Sequence, residues 1–214
     1  MFLKNYKTIA QSGSYEKEIK KSRFIAHIAQ TNSEAEAKDF IQQIRDQESG
    51  ATHNCTAFIV MENVLIERMS DDGEPSGTAG SPILNVLQQQ EMQNVTVVVT
   101  RYFGGIKLGA GGLIRAYSST TAEAVKSIGL VENRIQQGFE LTIPYHMFDR
   151  FENYAKNEKI ILEDKQFAAD IKCQIFLDLK TVDKAVQNIK DLFQNQIRIV
   201  ETKKTYKQVP IEAN

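Results

Sequence analysis

Glycine is unevenly distributed along this chain of 214 residues, and its clustering limits what the chain can fold into. Eight of the twelve glycines fall between residues 71 and 112, in two groups on either side of an apolar, β-branched run at residues 95–100. Such a run predicts a buried strand. Glycine weakens regular structure unless the backbone needs a positive φ or a close approach. The sequence therefore predicts two glycine-rich loops beside one buried strand, and this region is the most typical of a functional site.

Charge and composition narrow the class of protein. The 26 basic and 27 acidic side chains nearly balance, which argues against an indiscriminate polyanion binder but leaves room for a local basic patch. No run approaches the roughly 18 apolar residues of a membrane span, and residues 1–6 lack the apolar core of a signal peptide. Cys55 and Cys173 are expected to be reduced, buried thiols. We therefore expect a cytoplasmic protein without a membrane segment.

The first part of the chain predicts strands and three helices. Ser33 and Glu36 form a capping box that opens the first helix, and Ser81 with Pro82 predicts the start of the second. The third helix begins after the second glycine group, and its predicted buried face consists of Leu113, Ala116, Tyr117, Thr120, Ala124 and Ile128. Strands are predicted at residues 15–20, 23–29, 54–60, 64–69 and 95–100.

The second part of the chain alternates strands and helices in the order β-α-β-β-α-β, which is the ferredoxin-like plan. The clearest strand signal is the alternation of Ile171, Cys173, Ile175, Leu177 and Leu179. We place a domain boundary near residues 130–137, and hence predict two domains at residues 1–133 and 137–214.

The second glycine group has the elements of an anion site. Unpaired amides at the first turn of a helix, the helix dipole and the close approach that glycine allows all favour bound negative charge. The residues assigned to this anion site are Arg101, Lys107, Gly109, Gly111, Gly112 and Arg115. The alternative is that these glycines only allow tight packing. The segment matches neither the Walker loop nor the dinucleotide fingerprint.

The first glycine group carries carboxylates, which prefer hard cations such as Mg²⁺, although Asp-Gly and Glu-Pro are also turn dipeptides. A possible polar site comprises Asp71, Asp72, Glu74, Ser76, Thr78 and His53. The chain lacks the paired His and Cys spacings of a zinc site and the Gly-x-Ser-x-Gly elbow of a serine hydrolase. The sequence therefore assigns no metal, no cofactor and no catalytic residue.

Two long segments, DDGEPSGTAG at residues 71–80 and RYFGGIKLGAGGLIRAY at residues 101–117, resemble the signature of the IMPACT family in its short bacterial form. The segments at residues 21–25 and 51–53 resemble further parts of the same pattern. The resemblance implies an α+β protein of two domains. The first would be a ribosomal-protein-like α+β sandwich similar to domain IV of elongation factor G, and the second a ferredoxin-like domain similar to its domain V.

The resemblance also implies a link to RNA or ribosomes. Eukaryotic relatives restrain a stress-activated translation kinase, a pathway that bacteria lack, so that role is not carried over. What remains rests partly on fold analogy.

The leading hypothesis is a non-enzymatic, translation-associated protein that binds RNA or a ribosomal surface. Its contacts would be Arg101, Lys107 and Arg115 to phosphates, Tyr102 or Phe103 by stacking, and Lys21 and Arg23 at the margin. One alternative is an enzyme that cradles a phosphate or nucleotide in the glycine loop and holds Mg²⁺ on the acidic residues. Another is a protein-interaction module with a partner in translation control. None of these fixes the oligomeric state.

Overall fold

The computed structural model describes residues 4–211, which form five α-helices and two β-sheets, the α+β class that the sequence predicts. The strands are β1 (Tyr6–Ile9), β2 (Gly13–Ile19), β3 (Ser22–Gln30), β4 (His53–Met61), β5 (Leu65–Ser70), β6 (Val95–Tyr102), β7 (Leu130–Ile143), β8 (Glu163–Phe167), β9 (Ile171–Asp178) and β10 (Arg198–Pro210). The helices are α1 (Glu34–Gln47), α2 (Gly80–Gln89), α3 (Ala110–Ile128), α4 (Tyr145–Asn157) and α5 (Val182–Leu192).

The chain divides into two compact units, whose main parts are Tyr6–Glu132 and Asn133–Gln208. In the first unit the sheet order is β2-β3-β6-β4-β5, and every pairing is antiparallel. The valine strand predicted from sequence is β6, at the centre of this sheet. Its position explains the apolar run, because a central strand between two layers of helix is buried on both faces.

Helices cover both faces of this first sheet. On one face the sheet packs against α2 and α3, and the core between them includes Phe24, Val97 and Val99 of the strands and Tyr117 of α3. The opposite face meets α1 through Ala37, which packs with Phe58 and Val60 of β4. A fully buried valine or phenylalanine side chain contributes about 1.5–3 kcal/mol to the free energy of unfolding. The buried face that the sequence predicts for α3 is confirmed up to Ala124, while Ile128 is partly buried.

In the second unit β7, β9, β8 and β10 lie in the sheet order β10-β7-β9-β8. The prediction that Leu179 continues the alternation of β9 is wrong, because this residue lies beyond the end of the strand and is 40% exposed. The alternation is confirmed for Ile171, Cys173, Ile175 and Leu177, which are buried on one face. They pack with the apolar sides of α4 and α5, including Phe151 and Ile189.

The predicted helix starts have different outcomes. Ser33 caps α1 as expected, since its hydroxyl accepts from the Glu36 amide at 3.1 Å. The prediction that Ser81 caps α2 is wrong. That helix begins at Gly80, and its first amides, on Ala79 and Gly80, donate to the carboxylate of Asp71 at 3.0 and 2.8 Å.

The domain boundary predicted near residues 130–137 falls inside a strand. Residues 130–137 lie inside β7, where Val131, Asn133 and Ile135 are buried and alternate with partly buried polar residues. The strand was not predicted here because the buried position 133 is occupied by the polar residue Asn133, which interrupts the apolar–polar alternation of a strand. Among the helices of residues 4–211, none is long and apolar enough to cross a membrane.

Candidate functional site

The two glycine-rich segments meet at a buried ion pair. Arg101, on β6, donates from Nη1 to Oε1 of Glu74 at 2.6 Å, and the two side chains are only 6% and 3% exposed. The hydroxyl of Tyr117 in α3 donates to the same oxygen at 2.8 Å. The rings of Phe24 and Phe103 each lie 5.4 Å from the guanidinium carbon. A buried charge is costly without its partner, so this pair fastens the first loop to β6 and α3.

Asp71 organises the loop that precedes α2. Its carboxylate accepts the amides of Gly77, Ala79 and Gly80 at 2.8–3.0 Å. Burial by itself would raise the pKa of the Asp71 carboxyl, but these amides stabilise the charged form and hold the pKa below its ordinary value. The carboxylate also complements the positive end of the α2 dipole.

Asp72 ties the same loop to α1 and β4. Arg45 donates to its Oδ1 at 3.1 Å, and the amide of Asn54 donates to its Oδ2 at 2.6 Å. The imidazole Nδ1 of His53 lies 2.8 Å from the carbonyl oxygen of Asp72, and its Nε2 lies 3.9 Å from Oε2 of Glu74. His53 therefore fastens the loop from the other side.

Both cysteines are free and buried, as the sequence predicts. The thiol of Cys55 donates to the carbonyl oxygen of Asp71 at 2.9 Å. Burial raises the pKa of Cys55 to about 12 and that of Cys173 to about 11. Since the thiolate is the reactive form, neither thiol is a nucleophile at neutral pH.

The acidic motif is therefore internal to the fold. The carboxylates of Asp71, Asp72 and Glu74 are all engaged by amides or cationic side chains of this chain. Thr78 donates its hydroxyl to the carbonyl oxygen of Pro75 at 2.6 Å, and Ser76 is exposed. Within residues 4–211 no group of three or more His, Cys, Asp or Glu side chains is arranged to hold a metal ion.

Two residues assigned to the exposed RNA surface lie elsewhere, and their assignments are corrected. Arg101 is 5% exposed and paired with Glu74, so it is not available to a phosphate in solvent. Tyr102 is partly buried, and its hydroxyl donates to Glu48 at 2.6 Å. The guanidinium of Arg23 lies 5.0 Å from the Tyr102 ring centre, so a cation already occupies that ring. Arg23 is exposed but also pairs with Glu16 at 3.0 Å.

The remaining predicted residues stay on the surface. We call them the glycine face, and they are Lys21, Phe103, Lys107, Gly109, Gly111 and Arg115, all exposed. Phe103 is 46% exposed. Gly112, also assigned to the anion site, is partly buried and would meet Leu108 at 3.0 Å if it carried a Cβ.

The first turn of α3 is open on this face. Its N-cap is Gly109, at φ 71°, which supplies no side-chain cap, and the first turn contains no acidic residue. A Cβ on Gly111 would lie 3.6 Å from Nη1 of Arg115, so the guanidinium folds back over the start of the helix. The amides of a first turn have no acceptors within their own helix. The Arg115 guanidinium and the positive end of the α3 dipole therefore lie together on the surface.

Gly104 is required by contact with the β2–β3 turn. A Cβ on Gly104 would lie 1.9 Å from the carbonyl oxygen of Lys21 and 2.5 Å from the nitrogen of Ser22. The Gly104 amide also donates to the Ser22 hydroxyl at 3.2 Å. This approach fixes Lys21 beside the loop that carries Phe103 and Lys107.

Two contributors were missed by the sequence analysis. The Tyr117 hydroxyl is part of the buried network, and its signal was available, because a tyrosine on a buried helical face needs a hydrogen-bond partner. Arg45 was missed because it lies in α1, far in sequence from the Asp72 that it contacts.

Comparison with known proteins assigns the chain to a family. Residues 20–125 match the model of the Impact N-terminal domain, and residues 141–196 match a domain of unknown function (DUF1949). The chain is 38% identical over 204 residues to IMPACT family member YvyE of Bacillus subtilis (strain 168), covering 95% of this chain and 94% of that protein. The chain belongs to the IMPACT family.

The IMPACT assignment confirms the family that the sequence resembles. An IMPACT family member of Haemophilus influenzae (strain ATCC 51907 / DSM 11121 / KW20 / Rd) is 34% identical over 174 residues, covering 79% of this chain and 83% of its own length. A solved structure described as the crystal structure of an hypothetical protein superimposes with a TM-score of 0.59 at 27% identity, covering 94% of this chain and 99% of that one. Both glycine-rich segments lie within residues 20–125, the part of the chain that matches the Impact N-terminal domain.

Proposed function

We propose that this IMPACT family member is a non-enzymatic cytoplasmic protein that binds the backbone of single-stranded RNA, including exposed ribosomal RNA, through the glycine face. The observation that carries the proposal is the open first turn of α3 with the Arg115 guanidinium folded over Gly111. Backbone amides at a helix start bind phosphate oxygens, and glycine lets the phosphate approach closely. The guanidinium can add a bidentate pair of hydrogen bonds.

The surroundings of this first turn suit a nucleic acid better than a free phosphate. Lys107 and Lys21 supply two more exposed cations along the same loop and turn. Phe103 presents an exposed ring on which a base can stack, and such stacking is tolerant of sequence. Each of the two rings has a guanidinium near it, Arg23 at Tyr102 and Arg101 at Phe103. Because Phe103 is 46% exposed whereas Tyr102 is partly buried and bonded to Glu48, we assign stacking to Phe103 alone.

We infer that the two domains correspond to residues 1–133 and 137–214. For the second, the sheet order β10-β7-β9-β8 and the element order β-α-β-β-α-β support a ferredoxin-like fold, similar to domain V of elongation factor G. For the first, we propose the ribosomal-protein-like fold of domain IV. This kinship supports a ribosomal site of action by analogy alone.

No observation favours the alternative of an Mg²⁺-dependent enzyme. Its proposed ligands, Asp71, Asp72 and Glu74, are already engaged by Gly80, Arg45 and Arg101 respectively. Freeing them would break the loop that presents the rest of the motif. The binding proposal uses residues that are exposed as they stand.

The salt dependence of RNA binding tests the proposal. We expect phosphate contacts from Lys21, Lys107 and Arg115 to give a log–log slope of about −2, at roughly 0.7 per contact on a single strand. Arg115→Ala should reduce the slope by about 0.7, because one contact is lost. The measurement is fluorescence anisotropy of a labelled oligouridylate of about 15 nucleotides, a length that spans one binding groove.

Lys126→Ala is the matched control, since it removes an exposed cation from the last turn of the same helix. It should leave the slope unchanged. Phe103→Ala should weaken binding at every salt concentration without altering the slope. Binding that is absent, or equally reduced by Lys126→Ala and Arg115→Ala, would overturn the proposal. Turnover of ATP with Mg²⁺ that is lost in Asp72→Ala would favour the enzyme instead.

A second test separates binding from stability. Gly111→Ala should raise the free energy of unfolding by about 0.5 kcal/mol, because alanine is the better helix former. The new Cβ has room, lying 3.6 Å from Arg115 Nη1, but it narrows the approach to the first-turn amides. RNA affinity should therefore fall by about threefold or more while the protein becomes more stable.

The control for Gly111→Ala is Ser127→Ala, an exposed position in the last turn of α3. It makes a similar gain in helix propensity away from the glycine face. Urea unfolding and anisotropy on both variants give the comparison. If Gly111→Ala binds RNA as tightly as Ser127→Ala, the amides of the first turn are not the phosphate site.

A further inference from the structure

The two edges of the first sheet differ in how they are protected. At one edge, β2 exposes the charged residues Glu16 and Glu18, which discourage pairing with another strand. At the other, β5 pairs with β4 alone among the described strands. Here Leu65 is 46% exposed and Met69 is 50% exposed, and Val64 in the preceding turn is 65% exposed. An accessible edge with apolar side chains is a template for strand addition.

A cationic groove runs along the same edge. It has a volume of about 490 Å³, lies between α1 and the strands β4 and β5, and has Phe58 in its lining. Three cations line it, and two of them are paired, Lys38 with Glu34 at 3.0 Å and Arg45 with Asp72 at 3.1 Å. Arg68 donates to the carbonyl oxygen of Glu67 at 3.0 Å and forms no ion pair among the described residues. The register Phe58↔Arg68 places Arg68 on the groove face of the sheet. Leu65 and Met69 project to the opposite face, because side chains alternate along a strand.

We propose that β5 is the docking edge for an extended segment of a partner protein in which acidic and apolar residues alternate. The segment adds a strand to β5 through main-chain hydrogen bonds. Its acidic side chains lie on the groove face near Arg68, and its apolar side chains lie beside Leu65 and Met69. Arg68 is exposed and is the groove cation that no carboxylate of the described residues pairs with, so the complement of this face is acidic.

The charges of β5 argue against a second copy of this chain as the occupant. If two copies paired through antiparallel β5 strands, their two-fold axis would be perpendicular to the sheet, and each face of one sheet would continue into the same face of the other. Residues that lie opposite each other across the pair must then belong to the same face. Of the antiparallel registers with the most overlap, one sets Glu67 opposite Glu67 of the other copy. The other sets Arg68 opposite Arg68. Like charges directly opposite each other destabilise a strand pair.

The test uses two capped peptides of equal length, one alternating valine and glutamate and the other alternating valine and lysine. Both have the same β-forming valines, and they differ only in the sign of the charge. With the intact protein, the Val–Glu peptide should bind and should slow hydrogen exchange in residues 65–70, while the Val–Lys peptide should do neither. Anisotropy of the labelled peptides and exchange followed by mass spectrometry give the two readouts.

Charge reversal makes the test specific. Arg68→Glu should weaken Val–Glu binding by about tenfold or more and should create binding of the Val–Lys peptide. Arg68 is exposed, so the variant should unfold at the same urea concentration as the parent. Arg115→Ala is the matched control, because it removes a cation from the glycine face and should leave peptide binding unchanged.

Three results would overturn the proposal. One is failure of the Val–Glu peptide to bind at about 1 mM, which corresponds to less than about 4 kcal/mol of binding free energy. Another is equal binding of both peptides. The last is self-association of the protein, seen by sedimentation, that Arg68→Glu abolishes, since that would assign the edge to a second copy. None of these depends on RNA binding, which uses other residues.

Discussion

Glu74→Ala is expected to lower the free energy of unfolding by about 3–5 kcal/mol, because it leaves the Arg101 charge buried without a partner. Both side chains are nearly inaccessible, at 3% and 6% exposure, so water cannot take the place of the carboxylate. The Tyr117 hydroxyl also loses its acceptor. Urea unfolding followed by circular dichroism measures the change, and a loss of this size is a large fraction of the stability of an ordinary domain.

Two comparisons show whether the ion pair is the cause. Glu67→Ala removes a partly buried carboxylate whose one hydrogen bond among the described residues is accepted from the Gln88 side chain. This variant should change the free energy of unfolding by less than about 0.5 kcal/mol. The double variant Glu74→Leu, Arg101→Met should recover much of the loss, since apolar residues of similar size often replace a buried ion pair without cost. A loss below about 1 kcal/mol in Glu74→Ala would mean that Arg101 finds water or another acceptor.

Gly104→Ala is the second substitution with a large expected effect, of about 3 kcal/mol of destabilisation. The added Cβ would lie 1.9 Å from the Lys21 carbonyl oxygen, and a backbone atom cannot move aside as a side chain can. The loop after β6 must therefore separate from the β2–β3 turn. RNA affinity should fall together with stability, because Lys21 and Phe103 are displaced from each other.

The contrast with Gly111→Ala gives this prediction its control. Both substitutions add one methyl group to a glycine of the same signature segment, and only Gly104 meets backbone. Urea unfolding of the two variants should change in opposite directions. Equal stability of Gly104→Ala and the parent protein would show that the turn and the loop are not in contact as described.

Local patterns predicted the elements well where the determinants are close in sequence. The Ser33 cap and the buried face of α3 depend on residues one to four positions apart, and both are confirmed. The cap of α2 was predicted wrongly because Asp71, nine positions before Gly80, takes its amides. A capping rule that considers only the residues next to Ser81 cannot predict a hydrogen bond from Asp71.

The burial of Arg101 shows the same limit with one missed clue. Its partner Glu74 is 27 positions away, so no local pattern announces the pair. Yet Arg101 continues the alternation of Val95, Val97 and Val99, whose side chains all belong to the core. Extending the strand period by one step would have placed Arg101 in the core, and the anion site predicted from the sequence would not have included it.

The order of synthesis gives the Glu74 network a further consequence. Arg101 is made 27 residues after Glu74, and Tyr117 is made 43 residues after it. While α3 is still inside the ribosomal tunnel, the Glu74 carboxylate of the nascent chain therefore lacks the Tyr117 hydroxyl and has too few partners to enter the core. The DDGEPSGTAG loop cannot take its final form until most of the first unit has emerged. A chain truncated within this span should remain a target for proteases, and the intact chain should not.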